Sequence, residues 1–596
     1  MEGLQTTKSK IIQNFPAPFN FYRSFLHSDH LHFGIWPQDK QDLTIEEAQQ
    51  LMFETVAKFF PKPPARILDV GCGLGLSSAL MAKRGYDVAA ISPSKEMIEY
   101  ARKTYADSGA RFMQLDFYDE DSQVFQDEKY DIILFQESSQ YLGEPTRFIK
   151  KARNLLRDRG LLIISDEVSY DRSIKKETAV HMVTEIITAL AENGFCITEN
   201  QKIGERVMKT CDVAIQGLEA IFCSQTGDFK GDNLLIFLEG WKREKGWYST
   251  GQMGYEIFVA KKDFFFIRQY APPDEIQILE MFKEVFSVDR SLSHWIWKFA
   301  KNPYGTFGIS EAFSDTGRLV VHYGGHYVPF YNATGVGPQA FISYQGTDTM
   351  TRPEVRNIGM GKTNLLSRTA HHCFSKFLEG RVPFAYGFNT GKIKILGKRY
   401  LGYNYFDEVV FRVRDFVNNP FRKPYGLRLF RRYRVNEIHS CTSEWDDFFG
   451  RVRHSYKLLV KRDSEYLKWR YLDCPDKDYK IYSVHRGKKL VGWSVFLRMD
   501  KSLVWGDALF DNRFPESVIH LLHFVQESFI GTDCKRIEGW FSRNPQWWND
   551  ILDRLGFAVK EEPNRLSFCY KIFAMPDMSK VLSQFLYYSS GDSDLF

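Results

Sequence analysis

The residues RILDVGCGLG, Arg66–Gly75, predict a buried strand, a glycine loop and the start of a helix. Ile67, Leu68 and Val70 are typical of the end of a strand that is covered on both faces. Glycine then stands at every second position from Gly71, which allows the backbone to turn tightly and to approach another group closely. Apolar residues at helical spacing follow and end at an Arg-Gly pair, which is typical of a helix C-terminus.

Strand-like and helix-like patterns alternate from this point to about residue 262. Apolar runs at Tyr130–Phe135 and Leu161–Ile164 predict buried strands, and a helical stripe between them begins at Phe148. Such alternation predicts an α/β domain with a doubly wound parallel sheet. Because the carboxyl ends of parallel strands meet at one edge, we expect the polar residues at the strand ends to face one crevice. These residues are Asp69, Ser92, Asp116, Gln136 and Glu137.

The G-x-G-x-G spacing after an acidic residue resembles motif I of class I S-adenosylmethionine (SAM)-dependent methyltransferases. The resemblance covers about residues 20–262 and implies a Rossmann-like domain that binds SAM. It places Asp116 at the adenine amine and Ser92 at the ribose, where an Asp or Glu is usual. A serine accepts a hydrogen bond more weakly than a carboxylate does. The residues that the resemblance assigns to SAM are Asp69, Gly71, Cys72, Gly73, Gly75, Ser92, Asp116, Phe117, Gln136 and Trp36.

Two further segments resemble small-molecule methyltransferases, such as sugar O-methyltransferases. HLHFGIWP (His30–Pro37) is similar to a segment that folds over the cofactor, and FQESSQYL (Phe135–Leu142) is similar to one that faces the transferred methyl group. Tyr141 stands where the related pattern has His, and a tyrosine with an ordinary pKa of about 10 is a poor base at neutral pH. The candidate bases for a hydroxyl acceptor are Glu137, Tyr141, His30 and His32.

The second half of the chain contains an internal repeat. HWIWKFAKNPYG (His294–Gly305) matches EYLKWRYLDCPD (Glu465–Asp476), and this alignment pairs Trp297 with Trp469. A second match joins Gly317–Val321 to the segment GKKLVGW in the later copy. Two copies of one module are therefore expected.

A second glycine loop lies in the first copy, where Arg356-x-x-Gly359-x-Gly361 precedes a helical stripe. Backbone amides at the start of a helix suit a pyrophosphate. The loop is similar to motif A of the GNAT superfamily of N-acetyltransferases, which implies acetyl-CoA or another acyl-CoA as cofactor. Many of these enzymes have a tyrosine where this chain has Lys398, so the nearby Tyr400 is the catalytic candidate. The residues that the resemblance assigns to the acyl-CoA are Met350, Thr351, Arg356, Asn357, Ile358, Gly359, Met360, Gly361 and Lys362.

These patterns predict three domains in an α/β chain. A SAM-dependent methyltransferase domain occupies residues 1–262, and a GNAT-like acyltransferase domain with the acyl-CoA loop occupies residues 263–420. A second GNAT-like domain, residues 421–596, is expected to be degenerate because it has no R-x-x-G-x-G loop. The basic tract Phe421–Arg434 between the copies is either a solvated linker or a dock for an acidic partner such as an acyl carrier protein.

Composition sets limits on partners and location. A net charge of +5 over 596 residues is too small to predict binding to nucleic acid or to a membrane surface. Nine cysteines without a C-x-x-C pair predict neither a disulfide framework nor a metal site. No apolar signal core or membrane-spanning run is evident, so a cytoplasmic location is expected.

The favoured hypothesis is a bifunctional transferase that acts in sugar or specialised-metabolite biosynthesis. It combines SAM-dependent methyl transfer to a small molecule with acyl transfer from an acyl-CoA. One alternative is polyketide-type processing of a starter unit on an acyl carrier protein. Another alternative is an active methyltransferase joined to a non-catalytic GNAT-like module that binds or scaffolds.

Overall fold

The structure is a computed structural model that describes residues 28–40, 42–120, 122–126, 129–224, 231–305, 307–422, 433–530 and 532–596. The chain forms two compact units, and the boundary between them follows Ile267. Residues 423–432 of the basic tract predicted as a dock lie outside the described residues. Within the described ranges, no helix has both the length and the apolar character to cross a membrane.

The first unit alternates strands and helices. Its strands are β1 Arg66–Val70, β2 Asp87–Ser92, β3 Arg111–Gln114, β4 Tyr130–Gln136, β5 Leu156–Ser169, β6 His181–Met182, β7 Phe195–Lys202 and β8 Met253–Lys262. Its helices are α1 Ile45–Ala57, α2 Leu76–Lys83, α3 Lys95–Thr104, α4 Gln123–Gln126, α5 Pro145–Leu155, α6 Val183–Glu192, α7 Gly204–Val207, α8 Lys209–Ser224 and α9 Gly231–Ser249.

These strands form one sheet in the order β3-β2-β1-β4-β5-β8-β7, with β6 beside β5. Strands β1 to β5 run parallel, whereas β8 is antiparallel to both β5 and β7. Ile132, Ile133 and Leu134 in the central strand β4 are fully buried, because apolar clusters cover both faces of the sheet. The predicted doubly wound α/β fold is therefore confirmed for this part of the chain.

The second unit begins within strand β9 Phe265–Gln269. Its further strands are β10 Gly308–Ser314, β11 Leu319–Asn332, β12 Ala340–Thr351, β13 Phe384–Asn389, β14 Asn404–Glu408, β15 Val410–Asp415, β16 Tyr433–Ile438, β17 Leu458–Val460, β18 Lys480–Arg486, β19 Lys489–Met499, β20 Ser502–Phe510, β21 Arg536–Phe541, β22 Ala558–Lys560, β23 Ser567–Ile572 and β24 Leu586–Tyr587. Its α-helices are α10 Glu275–Phe286, α11 Leu292–Trp295, α12 Leu365–Cys373, α13 Gly391–Leu396, α14 Ser443–Tyr456, α15 Ser464–Leu467, α16 Glu516–Ser528, α17 Gln546–Arg554 and α18 Met578–Phe585.

The order of elements repeats within the second unit. Both α11 and α15 continue directly as π-helical turns, Ile296–Ala300 and Lys468–Leu472, and three antiparallel strands follow in each case. Trp297 and Trp469 occupy equivalent places in the two turns. Each indole Nε1 donates to the backbone carbonyl of the other tryptophan, at 2.6 and 3.0 Å, and the rings stack with centroids 5.8 Å apart. The two tryptophans that the sequence alignment pairs are therefore structural counterparts.

The two sheets of this unit exchange their last strands. One sheet has the order β14-β23-β13-β12-β11-β10-β9, and the other has the order β16-β18-β19-β20-β21-β15-β22. β15, from the first copy, lies between β21 and β22 of the second copy, while β23 lies between β13 and β14 of the first. Both copies belong to one compact unit. The predicted domain boundary at residue 420 lies within this unit and stays a prediction.

Candidate active site

The glycine loop joins β1 to α2 at the carboxyl edge of the first sheet. Gly71, Gly73 and Gly75 have φ angles of 78°, 54° and 87°, in the left-handed region that favours glycine. A Cβ atom on Gly71 would lie 2.5 Å from the Cβ of Ser138, and one on Gly75 would lie 2.7 Å from Cε1 of Phe112. The fold itself therefore requires glycine at these two positions.

A cavity of about 730 Å³ lies at the carboxyl ends of β1 to β5. It brings together most of the residues predicted for a cofactor and its acceptor, namely Asp69, Gly71, Cys72, Gly73, Ser92, Asp116, Phe117, Gln136, Glu137, Tyr141 and His32. Gly75 and Trp36 are absent from its lining. Gly75 instead caps α2, and the buried Trp36 donates its Nε1 to Thr210 Oγ1 at 3.2 Å. Neither residue lines the cavity.

Polar side chains stand at the ends of the first three strands. Asp69 is buried, and its Oδ2 accepts a hydrogen bond from Ser78 Oγ at 2.5 Å, which ties β1 to α2. Burial raises the pKa of Asp69 to about 6. Ser92 is buried at the end of β2, whereas Asp116 is exposed and accepts from a nearby backbone amide at 2.7 Å. The three strand ends thus offer two carboxylates and a hydroxyl to one side of the cavity.

Glu137 follows β4 in a constrained position. Its φ angle of 51° is unusual for a residue with a side chain and stores backbone strain. Its Oε1 accepts from the Phe33 amide at 2.6 Å and from the Tyr255 hydroxyl at 2.9 Å. Burial and then the nearby Glu167 raise the pKa of Glu137 well above its usual range. The structure therefore holds this carboxyl at the cavity wall as a strong proton acceptor once it is ionised.

The other candidate bases are less suited to accept a proton near neutral pH. Partial desolvation at the cavity wall, followed by the charges of Asp166 and Glu137, raises the pKa of Tyr141 to about 12, so its phenol stays protonated at neutral pH. Burial lowers the pKa of His32 to about 3 and that of His30 to about 4, so both imidazoles are neutral and poorly basic. His32 Nε2 lies 3.1 Å from His30 Nδ1. Ser77 Oγ, at the start of α2, lies 3.2 Å from the same His30 Nδ1. Geometry and chemistry therefore favour Glu137 among the predicted bases.

The cavity-lining residues that sequence reasoning missed include Glu167, Trp241 and Glu244. Glu167 carried a usable signal, because it follows the apolar run of β5 at the same sheet edge as the other polar residues. Trp241 and Glu244 come from α9, which together with α8 is inserted between β7 and β8. No motif marks these helices, so the sequence does not show which of their faces meets the cavity.

The predicted acyl-CoA loop uses its own backbone groups internally. Helix α12 begins only at Leu365, whose amide donates to the Ile358 carbonyl at 3.1 Å, and the Asn364 side chain accepts from the Leu366 amide at 3.1 Å. A Cβ atom on Gly359 would lie 2.2 Å from the Thr363 carbonyl oxygen. This glycine is therefore explained by the turn itself. In this conformation the Leu365 and Leu366 amides at the start of the helix are bonded within the protein, and acyl-CoA binding by the loop stays a prediction.

The remaining residues assigned to that loop are dispersed. Met350 is buried in the core, and Thr351 accepts through its backbone from Arg356 Nε at 3.2 Å. The Tyr400 ring fills the space beside Gly361, where a Cβ atom would lie 2.7 Å from its Cε1. Met360 is 87% exposed. The other loop residues, which are Asn357, Ile358 and Lys362, are also exposed.

Part of the first unit is similar in sequence to known methyltransferases. Residues 68–164 match the family model described as a methyltransferase domain. The ubiquinone biosynthesis O-methyltransferase of Actinobacillus pleuropneumoniae serotype 7 is 28% identical over 25% of this chain and 64% of the relative. The protein of the same name from Xanthomonas euvesicatoria pv. vesicatoria is 31% identical over 22% of this chain and 54% of the relative. The chain thus spans only part of the length of these relatives.

A solved structure with a similar first part is the cyclopropane synthase MmaA2 from Mycobacterium tuberculosis. It is 16% identical, covers 41% of this chain and 93% of that chain, and gives a TM-score of 0.37. Together, the matched sequence and the strand order described above identify a class I methyltransferase domain with a Rossmann-like fold in the first unit of this chain.

Proposed function

We propose that the first unit is a SAM-dependent methyltransferase that acts on a small-molecule acceptor. The observation that carries this proposal is the position of the glycine loop at the wall of a cavity of about 730 Å³. Strand ends are where open α/β sheets bind their ligands, and the volume is that of a small-molecule site. The matched family and the sheet order support the same conclusion.

The residues at the strand ends fit SAM by their chemistry. The loop from Gly71 to Gly73 suits the methionyl part, Ser92 suits the ribose and Asp116 suits the adenine amine, as the resemblance implies. When bound, SAM supplies a methyl group on a sulfonium sulfur, and its transfer leaves an electron pair on sulfur and one proton to be removed from the acceptor. The remaining work for the protein is to align the acceptor and to take that proton.

Glu137 is the group that we propose takes the proton. Its carboxyl is fixed by two donors and lies on the cavity wall next to the predicted acceptor position. Tyr141 lines the same cavity but keeps its own proton, so we propose that it contacts the acceptor without acting as a base.

Formation of S-adenosylhomocysteine (SAH) from SAM tests this function. The full chain is incubated with SAM and a panel of small hydroxyl, thiol and amine acceptors, and SAH is measured by mass spectrometry. We expect Asp116→Ala to weaken SAM binding about tenfold, because one charge-assisted hydrogen bond is lost. Asp107→Ala, an exposed carboxylate outside the cavity, is the matched control. A wild-type protein that neither binds SAM nor forms SAH contradicts the proposal.

For the second unit, acyl transfer from an acyl-CoA stays a prediction. The arrangement of three antiparallel strands, a helix and then a parallel strand in each copy is in keeping with it. The internally capped loop favours the other candidate, which is a non-catalytic module that binds or scaffolds.

Melting curves with acetyl-CoA distinguish acyl-CoA binding from a non-catalytic module. A stabilisation that Gly359→Glu removes supports acyl-CoA binding, and no response supports the non-catalytic module. An acyl carrier partner and a cytoplasmic location also stay predictions.

A further inference from the structure

Carboxylates line the end of the cavity beside α9. Glu137 follows β4, Glu167 lies near the end of β5 and Glu244 lies on α9, and all three face the same cavity. Glu167 is 9% exposed. The Glu244 carboxyl hydrogen-bonds Glu167, but its Oε1 is closed off from solvent and has no hydrogen-bond partner in the part of the chain that the structure describes. A buried polar oxygen without a partner is costly unless a ligand supplies one.

The sheet order separates these carboxylates from the proposed SAM site. The groups proposed for the methionyl part, the ribose and the adenine lie at the ends of β1, β2 and β3, whereas Glu137 follows β4 and Glu167 lies in β5, on the other side of β1. Lys95 is the one lysine or arginine among the described lining residues, and it begins α3, directly after β2. The end of the cavity next to β4 and β5 is therefore acidic and is the part left for an acceptor.

The three carboxyl groups destabilise one another when they are ionised. Burial, followed by a neighbouring acid, raises the pKa of Glu137 and of Glu167 well above the usual range, and burial raises the pKa of Glu244 to about 7. A cation between them would be attracted by all three groups at once and would favour their ionised forms. A neutral hydroxyl offers no such compensation.

Aromatic rings border the same end of the cavity. Trp241 and Phe33 both line it, and their ring centroids are 5.6 Å apart. Tyr141 lines it as well and is 64% exposed. The face of an aromatic ring, and of an indole most of all, attracts an ammonium group. Carboxylates with aromatic faces are the combination that recognises an organic cation.

We propose that the acceptor is a cationic amine, bound by Glu137, Glu167 and Glu244 against the aromatic wall of Trp241. This inference rests on the proposed methyltransferase function and names its substrate class. The amine must lose one proton before its nitrogen can react. One N–H bond breaks, its electron pair stays on nitrogen as the lone pair, and the proton binds a carboxylate oxygen of the cluster. The same acidic groups thus hold the cation and accept its proton.

Calorimetric titration of the full chain, saturated with SAH, tests this proposal. The probes are benzylammonium and n-butylammonium, each compared with its neutral alcohol. Because the sulfur of SAH is neutral, any preference for a cation belongs to the acceptor end. We expect at least one ammonium to bind about tenfold or more tightly than its alcohol. Glu244→Gln should remove most of that preference, whereas Glu239→Gln, an exposed acid on the same helix, should not.

The affinity for SAH separates the possible failures. If wild-type protein binds SAH but neither ammonium binds more tightly than its alcohol, the amine proposal is wrong and the methyltransferase proposal stands. If wild-type protein does not bind SAH, both are wrong. If Glu244→Gln keeps the wild-type SAH affinity and the full preference for ammonium, the carboxylate cluster is not the cation site. Unchanged SAH affinity in that variant also shows that it is folded.

Discussion

At the scale of single residues, buried polar pairs fix the positions of the site groups. Ser78 donates to the buried Asp69, and the short distance of 2.5 Å marks a charge-assisted bond. Ser78→Ala should lower the free energy of unfolding by about 1 to 3 kcal/mol, because a buried carboxylate loses a donor. Thr104→Ala, at an exposed helix position, should change it by less than about 0.5 kcal/mol. Urea unfolding curves measure both, and equal stabilities would contradict this role for Ser78.

Residue-scale electrostatics also predicts how stability depends on pH. The pKa of Glu244 rises from 4.5 to about 7 on burial, and Glu167 and Glu137 face it. Between pH 4.5 and about 7, the folded state therefore binds more protons than the unfolded state does. The free energy of unfolding consequently falls as the pH rises through this range. Glu244→Gln should flatten this decline in the protein without ligand, and Glu239→Gln should leave it unchanged. If the stability of Glu244→Gln declined more steeply with pH than that of the wild type, the prediction would be wrong.

At the scale of elements, the sequence was most informative where spacing is strict. Apolar runs and strand-end residues predicted the first sheet, and the aligned Trp297 and Trp469 predicted the repeat. The inserted helices α8 and α9 could not be assigned to the site, since amphipathic spacing does not say which neighbour a helix covers. The exchange of β15 and β23 was also hidden, because a strand pattern shows which side chains are buried but not which partner strand pairs with it.

The tryptophan pair gives an element-scale prediction. Each indole donates to the carbonyl of the other across the two π-helical turns. Trp297→Phe and Trp469→Phe should each lower the free energy of unfolding of the second unit by about 1 to 3 kcal/mol, because each leaves a buried carbonyl without its donor. Because the two residues are in contact, the loss of unfolding free energy in the double variant should differ from the sum of the losses in the two single variants. Strict additivity in thermal unfolding would show that the two turns do not support each other.

At the scale of the whole molecule, the strand exchange makes the two copies of the second unit dependent on each other. Each sheet would lose an internal strand if the chain were divided at residue 420. We expect residues 268–596 to fold as one protein, and residues 268–420 or 421–596 alone to aggregate or remain unfolded, since each would expose unpaired strand edges. Circular dichroism and size-exclusion chromatography of the three fragments check this. Two short fragments that each fold as stable monomers would contradict it.

Binding of SAH to the full chain, measured by titration calorimetry, tests whether the cavity beside the glycine loop is a SAM site. We expect one SAH per chain and a Tm that rises with SAH concentration, with stabilisation of about 2.7 kcal/mol at a hundred times Kd. Gly71→Ala should abolish this binding, because the added Cβ would meet Ser138 at 2.5 Å and force the loop to move. No binding of SAH to the wild-type chain at millimolar concentration, or full binding by Gly71→Ala, would contradict the proposed role of the glycine loop.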